Sequence, residues 1–188
     1  MAVLPDINMA LAGRIFHAVG GGAGTGITIP IYSSTSPTFA LWNPMGTRRL
    51  IVPKTLSIGV AATATPAITS LALGQVVSTG PTYATGLPIA AWTDATVYNG
   101  RLQLGTSTNS GRVGVATTTL TTAANSFYEL GFNQATVALA AGITKLTHVF
   151  NDEIVMDPGT LIHLVGNPIA PVETFVVSIT WKEYDLNV

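Results

Sequence analysis

Beyond residue 26 apolar side chains recur at every second position, the signature of strands that bury one face. Ile27, Ile29 and Ile31 alternate with Thr28 and Pro30, and the proline, lacking an amide hydrogen, restricts that segment to an edge or irregular strand. In TFALW, Phe39 and Leu41 oppose Thr38, Ala40 and Trp42 before NPMG turns the chain. A strand follows through RRLIV, and Leu56, Ile58 and Val60 define one face of the next. Leu71 and Leu73 belong to a further strand.

The C-terminal part carries the clearest pattern. KLTHVF (Lys145 to Phe150) alternates, Asn151, Asp152 and Glu153 interrupt it, and IVM resumes before Asp157, Pro158 and Gly159 turn the chain. TLIHLVG follows. Phe175, Val177, Ile179 and Trp181 then occupy one face of the last strand, with Thr174, Val176, Ser178, Thr180 and Lys182 on the other. The candidate core is therefore Phe39, Leu41, Leu56, Ile58, Phe175, Val177, Ile179 and Trp181.

The first residues read differently. Asn8 to Val19 has the spacing of a short amphipathic helix, weakened by Gly13 and stopped by the glycine run at Gly20 to Gly26. Residues 1–25 are thus expected to form an N-terminal arm and glycine-rich linker ahead of a domain over 26–188. In the middle, residues 74–112 predict long loops with brief pairings at Pro88 to Trp92 and Arg101 to Leu104. A Thr-rich strand is expected from Val113 to Leu120, and Ala123 to Ala141 reads equally as helix or strand. Eight or more short strands with little helix suit an all-β antiparallel sandwich, with the jelly roll as the preferred topology.

Composition narrows the function. Only 9% of the 188 residues are Asp, Glu, Lys or Arg, while 27 are Thr, so the surface is poor in charge compared with the roughly 25% of an average domain. Eight bases dispersed among nine acids give no basic footprint for nucleic acid. Thr55 to Thr93 carries no formal charge over 39 residues, but Pro66, Pro81, Pro88 and repeated hydroxyls break it, so strands and turns are expected rather than a membrane helix. Asp6 interrupts the N-terminal apolar stretch, so export through a signal peptide is not expected. Without cysteine, thiolate chemistry and disulfides are excluded. Residues 1–93 hold four bases against one acid, +3, and residues 94–188 four bases against eight acids, −4. Such an asymmetry could orient neighbouring copies or simply reflect a low charge count.

Candidate chemistry is sparse. GGGAGTG lacks the spacing of a phosphate loop, and no GxSxG, HExxH or EF-hand pattern occurs. His148 and His163 lie near Asp152, Glu153 and Asp157, types that can ligate a divalent metal. Both histidines also share strand parity with apolar neighbours, which favours a structural, partly buried role. Asp152 and Glu153 point apart as adjacent residues and read as a turn. No cofactor is expected. Arg48 and Arg49 are the leading interaction candidates, since adjacent strand side chains diverge and one can brace the subunit while the other reaches an acidic neighbour. Arg14 and His17 on the arm, with Trp42 and Trp92, complete the candidate interface, although core packing is the simpler role for each tryptophan.

Two stretches, TFALWNPMGTRRL and LIHLVGNPIAPVETFVVSITWKEYDL, resemble small structural proteins of tailed-bacteriophage virions, most closely the jelly-roll capsid decoration, or cement, proteins. That resemblance implies a non-enzymatic protein, a homotrimer on the capsid surface that clamps neighbouring major capsid subunits, made in the host cytoplasm, with a terminal arm over a neighbour. It implies neither a cofactor nor membrane or specific nucleic-acid binding. The alternative is a receptor- or glycan-binding sandwich of a tail fibre or other virion appendage, with recognition in its long loops.

Overall fold

Helix α1 (Asp6–Leu11) is followed by β1 (Ile15–Gly20), β2 (Ala40–Asn43), β3 (Arg49–Ala62), β4 (Ile68–Val77) and β5 (Val97–Asn99). After a 3-10 turn at Leu102–Leu104 come β6 (Arg112–Gly114), β7 (Asn125–Glu129), β8 (Lys145–Val149), β9 (Thr160–Pro168) and β10 (Thr174–Asp185). The computed structural model describes residues 6–21, 26–32, 34–62, 68–77, 93–104, 109–115, 120, 125–131, 145–168 and 174–186.

The strands pair as a nested hairpin: β1 with β10, β2 with β9, β3 with β8 and β4 with β7, all antiparallel. Pairing of β10 with β3 and of β9 with β4 folds this ribbon into two five-stranded sheets, ordered β5-β1-β10-β3-β8 and β6-β2-β9-β4-β7. This is the jelly-roll strand order, with β5 and β6 added at one side. There the sheets are joined by the Asp94–Gly114 bridge, with Ala95 N donating to Val113 O at 2.8 Å.

Alternation decides which side chains enter the core. Phe39, Leu41, Leu56, Ile58, Phe175, Val177, Ile179 and Trp181 all lie buried in one cluster between the sheets. Gly20 is required where the layers approach closely, since a Cβ there would stand 2.8 Å from the Phe39 ring.

The N-terminal segment departs from the sequence reading. Only Asp6–Leu11 is helical, and the expected helix to Val19 gives way to strand β1. Gly13, at φ 68°, ends the helix with paired bonds from Gly13 N to Ala10 O and from Arg14 N to Met9 O, a Schellman cap. Phe16 and Ala18 then face the core between β10 and β5. Residues 6–21 therefore pack on their own chain rather than extending as an arm, because the β-branched and aromatic residues of IFHAV suit a strand and Phe16 is buried against Trp181.

Other elements differ too. RRLIV and Leu56 to Val60 form one 14-residue strand, with a register shift opposite Thr180/Trp181 that accommodates Pro53. Ile27 to Ile31 makes only isolated bridges, as its proline requires. Arg101 to Leu104 ends in a 3-10 turn rather than a strand, and β6 stops at Gly114. Ambiguous NSFYE is strand β7. Pro88 to Trp92 lies outside the described residues.

Candidate interaction surface

The fold joins the two charge-biased halves of the chain. Arg14 pairs with Asp185 at 2.7 Å, and Arg49 with Glu183 at 3.0 Å and Asp185 at 3.5 Å. These are basic residues of the first half meeting acids of the last strand, so the asymmetry is neutralised inside the molecule. Arg48 behaves differently: it is exposed at φ 51°, and its carbonyl accepts from Leu186 N. Arg49 thus braces the subunit, while Arg48 lies just ahead of β3 with a left-handed backbone, rather than as its strand neighbour, and faces solvent.

Glu183 organises the surrounding segment. Its side chain is fully buried and accepts from Ser110 N, Gly111 N, the Trp181 indole and Arg49. Sequence alternation places Glu183 on the same inward face as Trp181, but nothing local to β10 reveals the donors 72 residues away. A buried carboxylate is tolerated only with such complete pairing.

The outward face of the β5-β1-β10-β3-β8 sheet carries a different chemistry. One row runs Tyr98, His17, Thr180, Thr55, Val149, one residue from each strand. The next runs Val19, Ser178, Ser57, Thr147. Neither row contains a formal charge at neutral pH apart from what His17 can acquire, and burial lowers the pKa of His17. His17 Nδ1 lies 2.9 Å from Thr180 Oγ1, and Ser57 Oγ lies 3.1 Å from Thr147 Oγ1. Tyr98, Val19 and Val149 are about half exposed. Five strands span roughly 19 Å, so these rows form a surface of hydroxyls and small apolar groups across the sheet. Tyr98, Val149 and Thr147 were not singled out by sequence; their signal was the polar half of the same alternation that marks the core.

Helix α1 covers the other end of this face. Asp6 pairs with Lys54 and Lys182, and Lys182, almost buried, also meets Asp152 at 2.9 Å. Met9 is buried beneath the helix, while Ile7 and Leu11 point outward.

Trp42 is not an exposed anchor. It is 3% exposed on the outward face of the second sheet, in a small cluster with Ala40, Leu120 and Leu161. The Arg112 guanidinium lies 5.4 Å from the centre of its ring and pairs with Asp94 at 2.6 Å. Trp92 lies outside the described residues. An open cleft of about 390 Å³ beside this ion pair is lined by Asp94, Ala95, Thr96, Val97, Asn109 and Arg112, none of them aromatic.

The two strand histidines are separated by the fold. His148 Nε2 lies 3.0 Å from the Tyr128 hydroxyl, which donates to Glu153 at 2.8 Å and whose pKa is raised by that bond. This cluster links the edge strands β7 and β8. His163 lies on the outward face of the other sheet, so His148, His163 and the nearby acids are not brought together as a metal site would need, and no cluster of three His, Asp or Glu side chains that could hold a metal occurs among the described residues. No helix among the described residues is long and apolar enough to cross a membrane.

The molecule is an all-β sandwich whose exposed features are those of a structural or binding protein in general. The chain matches no protein-family model, no curated protein and no solved structure.

Proposed function

We propose that the protein is a non-enzymatic virion structural component that decorates an icosahedral capsid as a homotrimer and bridges major capsid subunits through the outward face of the β5-β1-β10-β3-β8 sheet. The observation that carries this reading is the pair of uncharged rows, Tyr98 to Val149 and Val19 to Thr147. Hydroxyls exchange water for a partner's polar groups at small cost, whereas burying unpaired charges would oppose docking. The resemblance of TFALWNPMGTRRL and the C-terminal stretch to cement proteins supplies the kind of partner. Several modest contacts per trimer then reinforce one another through high effective concentration.

Residues 6–21 belong to the sandwich, so bridging is assigned to the sheet face rather than to a long arm. The cleft beside Asp94 and Arg112 has none of the stacked aromatic lining that a glycan site would favour, and it adds nothing to the fibre-tip alternative. Cryo-electron microscopy of the intact particle tests the proposal. Repeated density bridging capsomers, with this face inward, is expected; density confined to a fibre tip would defeat it.

A further inference from the structure

Strands β7 and β8 end their two sheets on the same side of the sandwich, β7 beside β4 and β8 beside β3. Among the described residues no backbone hydrogen bond joins these two edges, and side chains span the seam instead. Tyr128, opposite Leu73, and His148, opposite Leu56, both point to the inner side, where their rings meet at 5.2 Å. Beneath them lies Phe150, fully buried, 5.8 Å from the Tyr128 ring and 4.8 Å from the His148 ring.

The chain then doubles back. Asn151 and Asp152 both have positive φ, 50° and 63°, and Glu153 N donates to Phe150 O at 2.9 Å, a tight turn that the Lys182 ammonium braces through the Asp152 carboxylate. That turn lays Glu153 against the seam. The Tyr128 oxygen is thus the shared corner of three donors from three segments, 3.0 Å from His148 Nε2 and 2.8 Å from Glu153 Oε2.

One imidazole nitrogen and two oxygens make a donor set suited to a first-row transition ion. Metal bonds of about 2.0–2.1 Å at right angles hold neighbouring donors roughly 2.9 Å apart, against roughly 3.3 Å in a tetrahedron. The two separations fit a tetragonal site, the preference of Cu(II) among N and O ligands. Charge agrees, since among the described residues Glu153 pairs with no Lys or Arg. So does access: Glu153 is exposed, and Tyr128 and His148 are half-buried.

We propose that Tyr128, His148 and Glu153 form a Cu(II) site that staples the edges of β7 and β8 together. Glu153 accepts the phenol proton and thereby raises the Tyr128 pKa; the ion takes that proton's place between the two oxygens. Binding breaks the phenol O–H bond, releases the proton to solvent, and forms copper bonds to the phenolate oxygen, to the lone pair of His148 Nε2 and to the Glu153 carboxylate. Copper keeps its oxidation state throughout, and water completes the shell on the exposed side.

The test titrates the purified full chain with copper(II) chloride near neutral pH in a weakly coordinating buffer, and it is independent of any capsid. One copper per chain should bind, with a tetragonal electron paramagnetic resonance signal carrying one nitrogen ligand and a visible phenolate-to-copper charge-transfer band. Free copper at about 100 times its Kd should raise the melting temperature by roughly 5–10 °C. Tyr128→Phe, which keeps the ring, should abolish the band, and His148→Gln and Glu153→Gln should each weaken binding at least tenfold. Asp157→Asn, a nearby acid outside the site, should bind copper as the unaltered chain does. Copper bound without the band, a band that persists in Tyr128→Phe, affinity indifferent to both His148→Gln and Glu153→Gln, or a melting temperature unmoved by saturating copper would each overturn the proposal. If Tyr128→Phe does not fold, Glu153→Gln at its exposed position decides: lost affinity supports the site, and unchanged affinity overturns it.

Discussion

Phe16 and Trp181 are direct cross-strand partners whose rings stack at 5.8 Å with 29° between planes. The first strand is thereby sealed against the last, and the segment that sequence pattern treats as an arm becomes part of the core.

Two truncations separate these roles. Removing residues 1–11 deletes α1, with Met9 and the Asp6 ion pairs, and should lower the melting temperature by a few degrees, since about 1 kcal/mol moves a domain of this size by roughly 2–4 °C. Removing residues 1–20 also deletes β1 and strands β5, and should abolish cooperative unfolding measured by calorimetry. Trp181→Ala should cost about 3–5 kcal/mol in chemical denaturation, and a loss below about 1 kcal/mol would contradict its place in the core.

Glu183→Leu should destabilise by about 3–5 kcal/mol, because it orphans two backbone amides and an indole together with the Arg49 pair. Arg49→Met should cost less, about 1–3 kcal/mol, since it removes the counter-charge of a buried carboxylate but leaves the two amides and the indole bonded to it. Equal losses in urea unfolding would show that the ion pair, rather than the whole set of donors, anchors the 109–111 segment.

Docking through hydroxyl rows predicts weak dependence on salt. Particle occupancy should change little between low and high ionic strength, because few exposed charges take part. Ser57→Glu or Thr147→Glu should reduce occupancy at least tenfold while leaving the melting temperature nearly unchanged. Occupancy that collapses with added salt and is indifferent to these substitutions would place the contact elsewhere.

Stability should also report on His163. Its pKa is about 4 when folded, against about 6.5 when unfolded. Between those values the unfolded chain binds more protons, so stability is full above pH 6.5, falls as pH drops, and stops falling below about 4. The loss amounts to about 3 kcal/mol. Denaturation of the wild type and of His163→Gln at pH 7 and pH 4 should differ by that amount in their pH response, with carboxylate contributions common to both.

Sequence alternation alone determined which face of each long strand is apolar. Phe175 to Trp181 and Phe39 with Leu41 lie in the core because parity is a property of the extended backbone and needs no knowledge of partners. The same parity puts His163 on the face opposite Ile162 and Leu164. What lies against each face was decided by the tertiary structure. IFHAVG is too short to distinguish six residues of strand from helix, and only the vacancy between β10 and β5 selects the strand. The pairing of Arg14 with Asp185 crosses 171 positions, and two of the donors to Glu183, the Ser110 and Gly111 amides, lie on a loop 73 and 72 positions away. His163 faces outward by parity yet is buried, since alternation orients a side chain without specifying what packs against that face.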